Sequence, residues 1–168
     1  MTTFTIPGVS NNVANPQIEA VVDTVNKAVL SLTGVQLSDY ELSFIREGIK
    51  FSRTSVFNNY AAVVDAMELL TKLESEFNYL IYTLQTYYDK INYEFRSKYD
   101  VTFAGLSRGG SPNQAATEST ALSRNNNELL NLKKTLTDLE QLLIFLKQEV
   151  LIMRSKLKTL DAKRSNTF

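Results

Sequence analysis

The most regular feature of the chain is a stripe of apolar residues spaced alternately three and four residues apart. Its ten members are Leu129, Leu132, Leu136, Leu139, Leu143, Leu146, Val150, Met153, Leu157 and Leu160. This is the spacing of an a/d seam, the row of side chains that one helix of a coiled coil presents to another. A helix cannot cover its own stripe, so the pattern predicts helix–helix contact within one chain or between copies.

A shorter amphipathic helix is predicted near the N-terminus. Asn15 is a favourable N-cap, and Pro16 suits the first helical position because its missing N–H is not needed there. A valine-rich face follows, and Gly34 provides a C-terminal stop. We therefore expect a helix over residues 16–33.

The next helix start is a capping box at Ser38–Glu41, flanked by Leu37 and Leu42 as a hydrophobic staple. From this point an apolar residue recurs at every seventh position. The members of this column are Leu42, Ile49, Val56, Val63, Leu70, Phe77, Leu84 and Ile91. The column predicts one helix over about residues 39–98, with Gly48 and the serines of residues 52–55 as the places where a kink or break is expected.

A connector containing Gly105, Gly109, Gly110 and Pro112 follows at residues 100–112. The last helix is then predicted over about residues 113–162. Two long helices joined by one loop form an antiparallel hairpin. The predicted fold is therefore all-α: a long antiparallel, coiled-coil-like hairpin with an additional N-terminal helix, in one domain over residues 16–165. Residues 1–15 are predicted to form an extended arm.

The last helix is also apolar on its outer side, which indicates homo-oligomerisation. These outer residues are Leu130, Leu142, Ile144, Phe145, Leu151 and Ile152. A two-helix hairpin cannot cover both this side and the stripe. The residues predicted for the interface between copies are Leu136, Leu139, Leu143, Leu146, Val150 and Met153.

Composition argues against catalysis. The chain has 168 residues with no cysteine, histidine or tryptophan, which removes thiol chemistry, the commonest general base and most transition-metal sites. Neither a GxxxxGK[ST] nor a GxGxxG phosphate loop is present. No apolar run is long enough to span a membrane, and the N-terminus does not resemble a signal peptide. We expect a protein that is not an enzyme and that uses no cofactor or metal.

The net charge of zero hides an asymmetry along the chain. Residues 1–80 carry 5 basic and 9 acidic side chains, net −4, whereas residues 147–168 carry 6 basic and 2 acidic, net +4. The basic end suits either contact with phosphate or simple compensation of the helix macrodipole. Between residues 87 and 99, tyrosines alternate with basic residues, and Tyr93 and Arg96 fall outside the apolar column. Such residues are typical of single-strand binding surfaces, but also of cores and interfaces.

The layout over about residues 56–162 resembles the phage recombination mediators of the UvsY kind. The matching stretches are residues 87–90, 117–121, 139–146 and 153–156. The resemblance implies a non-enzymatic, ring-forming protein that binds single-stranded DNA and helps load a recombinase in the cytoplasm of an infected bacterium. It also implies a set of DNA-facing residues. These are Arg154, Lys156 and Lys158, with Tyr93 and Arg96 as helpers.

A structural or assembly protein of a phage virion is the alternative interpretation. The arm at residues 1–15, the zero net charge and the uncovered apolar stripes favour a neck, scaffold or capsid-associated component. Its partners would be its own copies or other virion proteins.

Overall fold

A computed structural model describes residues 16–53, 60–107 and 127–166, and those residues form four helices and no strand. The helices are α1 (Pro16–Thr33), α2 (Asp39–Arg53), α3 (Tyr60–Ser107) and α4 (Asn127–Ser165). The all-α prediction is confirmed. The predicted arm at residues 1–15 lies outside the described residues.

Helix α1 has the bounds that its sequence predicts. Gly34 has a φ of 71° and donates its N–H to the carbonyl of Leu30 at 2.9 Å, which ends the helix in a left-handed C-cap. The face of α1 that is turned inward consists of Ile18, Val22, Val25 and Val29. The spacing of these residues is that of one helix face, so burying them fixes the rotation of α1 on the core.

The start of α2 is the predicted capping box. The backbone N–H of Glu41 donates to the hydroxyl of Ser38 at 3.2 Å, and the N–H of Ser38 donates to the Glu41 carboxylate at 2.7 Å. Leu37, the first half of the predicted staple, is buried. Local sequence therefore sets this helix start without help from distant residues.

Helix α2 does not continue in a straight line into α3. The hydroxyl of Tyr40 donates to the Glu76 carboxylate at 2.6 Å, and the rings of Phe44 and Phe77 lie 5.7 Å apart. Tyr40 and Glu76 are 36 residues apart, which is about 54 Å along a straight helix. The chain therefore reverses between Arg53 and Tyr60, and the prediction of one helix over residues 39–98 is wrong.

Gly48 is a point of close contact between these two helices, rather than the kink that was expected there. A Cβ at Gly48 would lie 2.5 Å and 2.7 Å from two ring atoms of Phe77. Phe77 is fully buried, so its ring fills the space that the missing side chain leaves. A glycine thus permits α2 to approach α3 face to face.

Helix α3 extends nine residues beyond its predicted end, which makes the loop prediction wrong for residues 100–107. Phe95, Tyr99 and Phe103 are spaced four residues apart, and successive rings stack with centroids 5.9 Å and 6.1 Å apart. This ladder stabilises the helix through the stretch where glycine and threonine suggest a loop. Residues 108–126, which include the predicted start of the last helix, lie outside the described part.

The chain divides by packing into two compact units. The first contains Met1–Tyr82 and Leu142–Phe168, and the second contains Thr83–Gln141. In the first, Arg154 of α4 pairs with Glu74 in the N-terminal half of α3. In the second, Lys98 in the C-terminal half of α3 pairs with Glu128 at the start of α4. Within each unit α3 and α4 are thus in contact, as the predicted hairpin requires, and the predicted single domain consists of these two units.

Candidate interaction surfaces

The predicted interface between copies is buried within one chain. All six of its residues, Leu136, Leu139, Leu143, Leu146, Val150 and Met153, are buried in the monomer. The stripe is covered within one chain, and no second copy is needed to bury it. The assignment of these six residues to contacts between copies is therefore wrong.

Three aliphatic side chains of α4 in the first unit do remain exposed. Ile144 is 42% exposed, Leu151 is 61% exposed and Ile152 is 40% exposed. They lie on the side of the helix turned away from the stripe, around the exposed Gln148. We call Ile144, Gln148, Leu151 and Ile152 the outer α4 patch. No member of this patch carries a charge.

Arg154, the first predicted DNA-facing residue, is engaged within the chain. Its Nε donates to the carboxylate of Glu74 on α3 at 2.6 Å. The guanidinium is about half exposed, so this pair contributes little to stability. It does, however, offset the positive charge that a phosphate would otherwise meet.

Lys156 is engaged more deeply, at the C-terminal end of α2. Its ammonium donates to the backbone carbonyl of Phe51 at 2.5 Å and lies 5.6 Å from the centroid of the Phe51 ring. Burial lowers the pKa of Lys156, although the nearby Glu149 carboxylate opposes this effect. The Phe51 carbonyl is among the last four of α2, which have no partner inside the helix. Lys156 therefore caps α2, whereas Lys158 is exposed.

Tyr93 and Arg96 lie together on the solvent side of α3 in the second unit, as the sequence predicts. Tyr93 is 78% exposed, and Arg96 and Lys90 are exposed one turn to either side of it. The neighbouring Lys98 instead bonds to Glu128 and Glu94, which raises the pKa of its ammonium. An aromatic ring between two cations is suited to a nucleobase and its flanking phosphates.

Sequence reasoning missed two buried carboxylates in the first unit. Glu47 is buried and accepts a hydrogen bond from Lys50 at 2.7 Å. Glu149 is also buried, and its Oε2 has no hydrogen-bond partner in the described part of the chain. The one available signal was the seven-residue spacing of Glu149 and Lys156, which places both on one side of α4. Nothing in the sequence indicated that the C-terminal end of α2 would lie beside Lys156.

The surfaces described above carry no sign of a metal centre or a membrane span. Within residues 16–53, 60–107 and 127–166, acidic side chains do not gather in threes as metal ligands would. Over the same ranges, no helix combines the length and hydropathy required to cross a bilayer.

Comparisons with known proteins do not place the chain in a family. It matches no family model, no curated protein and no solved structure. The outer α4 patch and the Tyr93 surface are therefore interpreted from their own chemistry.

Proposed function

We propose that this is a non-enzymatic assembly protein that associates with copies of itself through the outer α4 patch. The observation that supports this most directly is the exposure of Ile144, Leu151 and Ile152, while the stripe on the same helix is covered. Exposed aliphatic side chains with no charge among them suit a protein surface better than a nucleic acid. The virion-assembly interpretation of the sequence agrees with such a role.

The size of the patch sets the expected strength of association. Complete burial of one leucine or isoleucine is worth about 1.5–3 kcal/mol. Three side chains per copy, each about half exposed, give roughly 4–9 kcal/mol for a dimer. Association itself costs about 4–15 kcal/mol. Even the most favourable combination of these terms leaves about −5 kcal/mol, so we expect weak dimers, with a dissociation constant of about 0.1–1 mM.

The test is sedimentation velocity from about 10 µM to about 1 mM protein. The wild type should shift from monomer toward dimer across this range, and Leu151→Glu should remain monomeric because it buries a charge. Leu30→Glu is the matched control, since Leu30 is 44% exposed on α1 and lies outside the patch. A wild type that is monomeric throughout, or a Leu151→Glu variant that associates normally, would contradict the proposal.

Binding of single-stranded DNA is the second candidate, and it is the function that the resemblance to recombination mediators implies. The observation that favours it is Tyr93, exposed between Lys90 and Arg96. A host-cytoplasmic role in loading a recombinase would depend on this binding. The predicted basic residues of α4 offer less positive charge to a DNA strand than expected, because Arg154 pairs with Glu74 and Lys156 caps α2.

A titration of fluorescent single-stranded oligonucleotide tests this candidate. Binding should weaken steeply as salt rises, because it releases counterions. Tyr93→Ala with Arg96→Gln should weaken it at least about tenfold, since one stacked base contributes about 1–3 kcal/mol. Tyr82→Ala is the control, as Tyr82 is similarly exposed but has no basic residue one turn away. If no binding occurs at low salt, this candidate is eliminated.

A further inference from the structure

We infer that the outer α4 patch pairs with the same patch of a second copy in an antiparallel arrangement, with the two-fold axis at Gln148. This inference rests on the proposed self-association and adds its geometry. Its basis is the order of exposed residues along α4 and the distribution of charge beyond them.

The patch is symmetric about Gln148. Ile144 lies four residues before Gln148 and Ile152 lies four residues after it. The half-buried Phe145 and the exposed Leu151 lie three residues to either side. In a two-fold contact, residue i of one copy meets residue j of the other, and j meets i. An axis at Gln148 therefore places an apolar side chain opposite an apolar side chain at each of these positions.

Gln148 itself suits the axis. Its side-chain amide carries both a donor and an acceptor, so two Gln148 side chains that meet across the axis satisfy each other reciprocally. A charged residue at this position would face its own copy and repel it. Gln148 is the polar member of the patch and lies midway between Ile144 and Ile152 along the helix.

Charge beyond the patch favours the antiparallel over the parallel arrangement. Residues 147–168 carry 6 basic and 2 acidic side chains, and Lys158 and Lys163 are exposed. A parallel pair would set this basic end beside its own copy. With an antiparallel axis at Gln148, the two Lys158 residues are 20 residues apart along the pair, or about 30 Å. That separation exceeds the Debye length of about 8 Å at physiological salt, so their repulsion is screened.

Disulfide trapping tests this geometry, because the chain has no cysteine of its own. Gln148→Cys should form a disulfide-linked dimer at least about tenfold faster than Thr24→Cys, an exposed α1 control, because the contact holds the two thiols at an effective concentration well above that of free collision. A mixture of Ile144→Cys and Ile152→Cys should cross-link as the heterodimer. Ile144→Cys alone should not, since its two copies would lie about 12 Å apart along the pair, beyond the Cα separation of about 7 Å that a disulfide spans.

Sedimentation of each reduced variant separates the two ways in which this experiment can fail. If the variants associate but Ile144→Cys alone cross-links rapidly, the pair is parallel and the inferred geometry is overturned while self-association stands. If they associate without faster cross-linking of Gln148→Cys than of Thr24→Cys, another surface is used and the inference is likewise overturned. If neither the reduced variants nor the wild type associates, the proposed function itself fails.

Discussion

Replacing Gly48 by alanine adds one methyl group at the closest approach of α2 to α3. The new Cβ would lie 2.5 Å and 2.7 Å from ring atoms of Phe77, about 1 Å inside normal carbon–carbon contact. The ring is fully buried, and close packing of protein interiors leaves it little room to retreat. Inserting a methylene into a packed core costs about 1–3 kcal/mol, and a clash with an immobile ring belongs at the upper end of that range.

Helix propensity opposes this cost. Alanine is favoured over glycine inside a helix by about 1 kcal/mol. The net expectation for Gly48→Ala is a loss of about 2 kcal/mol in the free energy of unfolding, the difference between these two terms. For a chain of this length, such a loss lowers the melting temperature by about 4–8 °C.

Urea denaturation followed by circular dichroism measures this difference, and a double-mutant cycle identifies its cause. With Phe77→Leu the ring is removed, so adding Gly48→Ala to that variant should be neutral or slightly stabilising. The coupling between the two positions should be about 2–3 kcal/mol. A Gly48→Ala protein as stable as the wild type would show that the two helices do not approach so closely. An equal loss in both backgrounds would show that Phe77 is not the cause.

Three further outcomes follow from individual contacts. Leu146→Ala should lower the free energy of unfolding by about 2–5 kcal/mol, because Leu146 is fully buried. Leu151→Ala, on the exposed side of the same helix, should change it by less than about 0.5 kcal/mol, and urea denaturation of the two variants measures the difference. The hydrogen bond to Glu76 raises the pKa of Tyr40, so the folded state holds the phenolic proton more tightly than the unfolded state. That contribution is present below pH 10 and lost as pH rises through the folded pKa, so the stability advantage of the wild type over Tyr40→Phe should shrink as the pH rises above 10. Arg46 donates two hydrogen bonds to the carboxylate of Glu19 on α1. Arg46→Gln should therefore lower the free energy of unfolding by up to about 1 kcal/mol at low salt and by less at about 1 M salt, and thermal unfolding at the two salt concentrations measures this.

The parts of the fold that sequence predicted correctly depend on neighbouring residues. The capping box at Ser38, the start of α1 at Pro16 and its stop at Gly34 all act within a few residues, so their signals are complete in the local sequence. The reversal between α2 and α3 has no such signal. The apolar column keeps its seven-residue spacing across residues 54–59, and two helices packed side by side carry the same column as one continuous helix.

The difference between local and distant contacts also explains why the sequence predicted the surroundings of some candidate surface residues and not of others. Exposure of Tyr93 and Arg96 follows from their place outside the apolar column of their own helix, which sequence shows directly. The engagement of Lys156 depends on a carbonyl of α2, and no pattern within α4 indicates that α2 ends beside it. The outer side of α4 was predicted as apolar and is exposed at Ile144, Leu151 and Ile152, but the choice of the stripe as the interface failed because the stripe is buried within one chain.

The cap that Lys156 provides has a consequence for the order in which the protein folds. The ammonium and the Phe51 carbonyl are separated by 105 residues. Ribosomes add about 5–20 residues per second, so the C-terminal end of α2 is synthesised about 5–20 s before its cation. During that interval α1, α2 and the N-terminal half of α3 can pack together, but α4 is missing. Completion of the first unit therefore waits for α4, and its high contact order makes this docking a late step in folding.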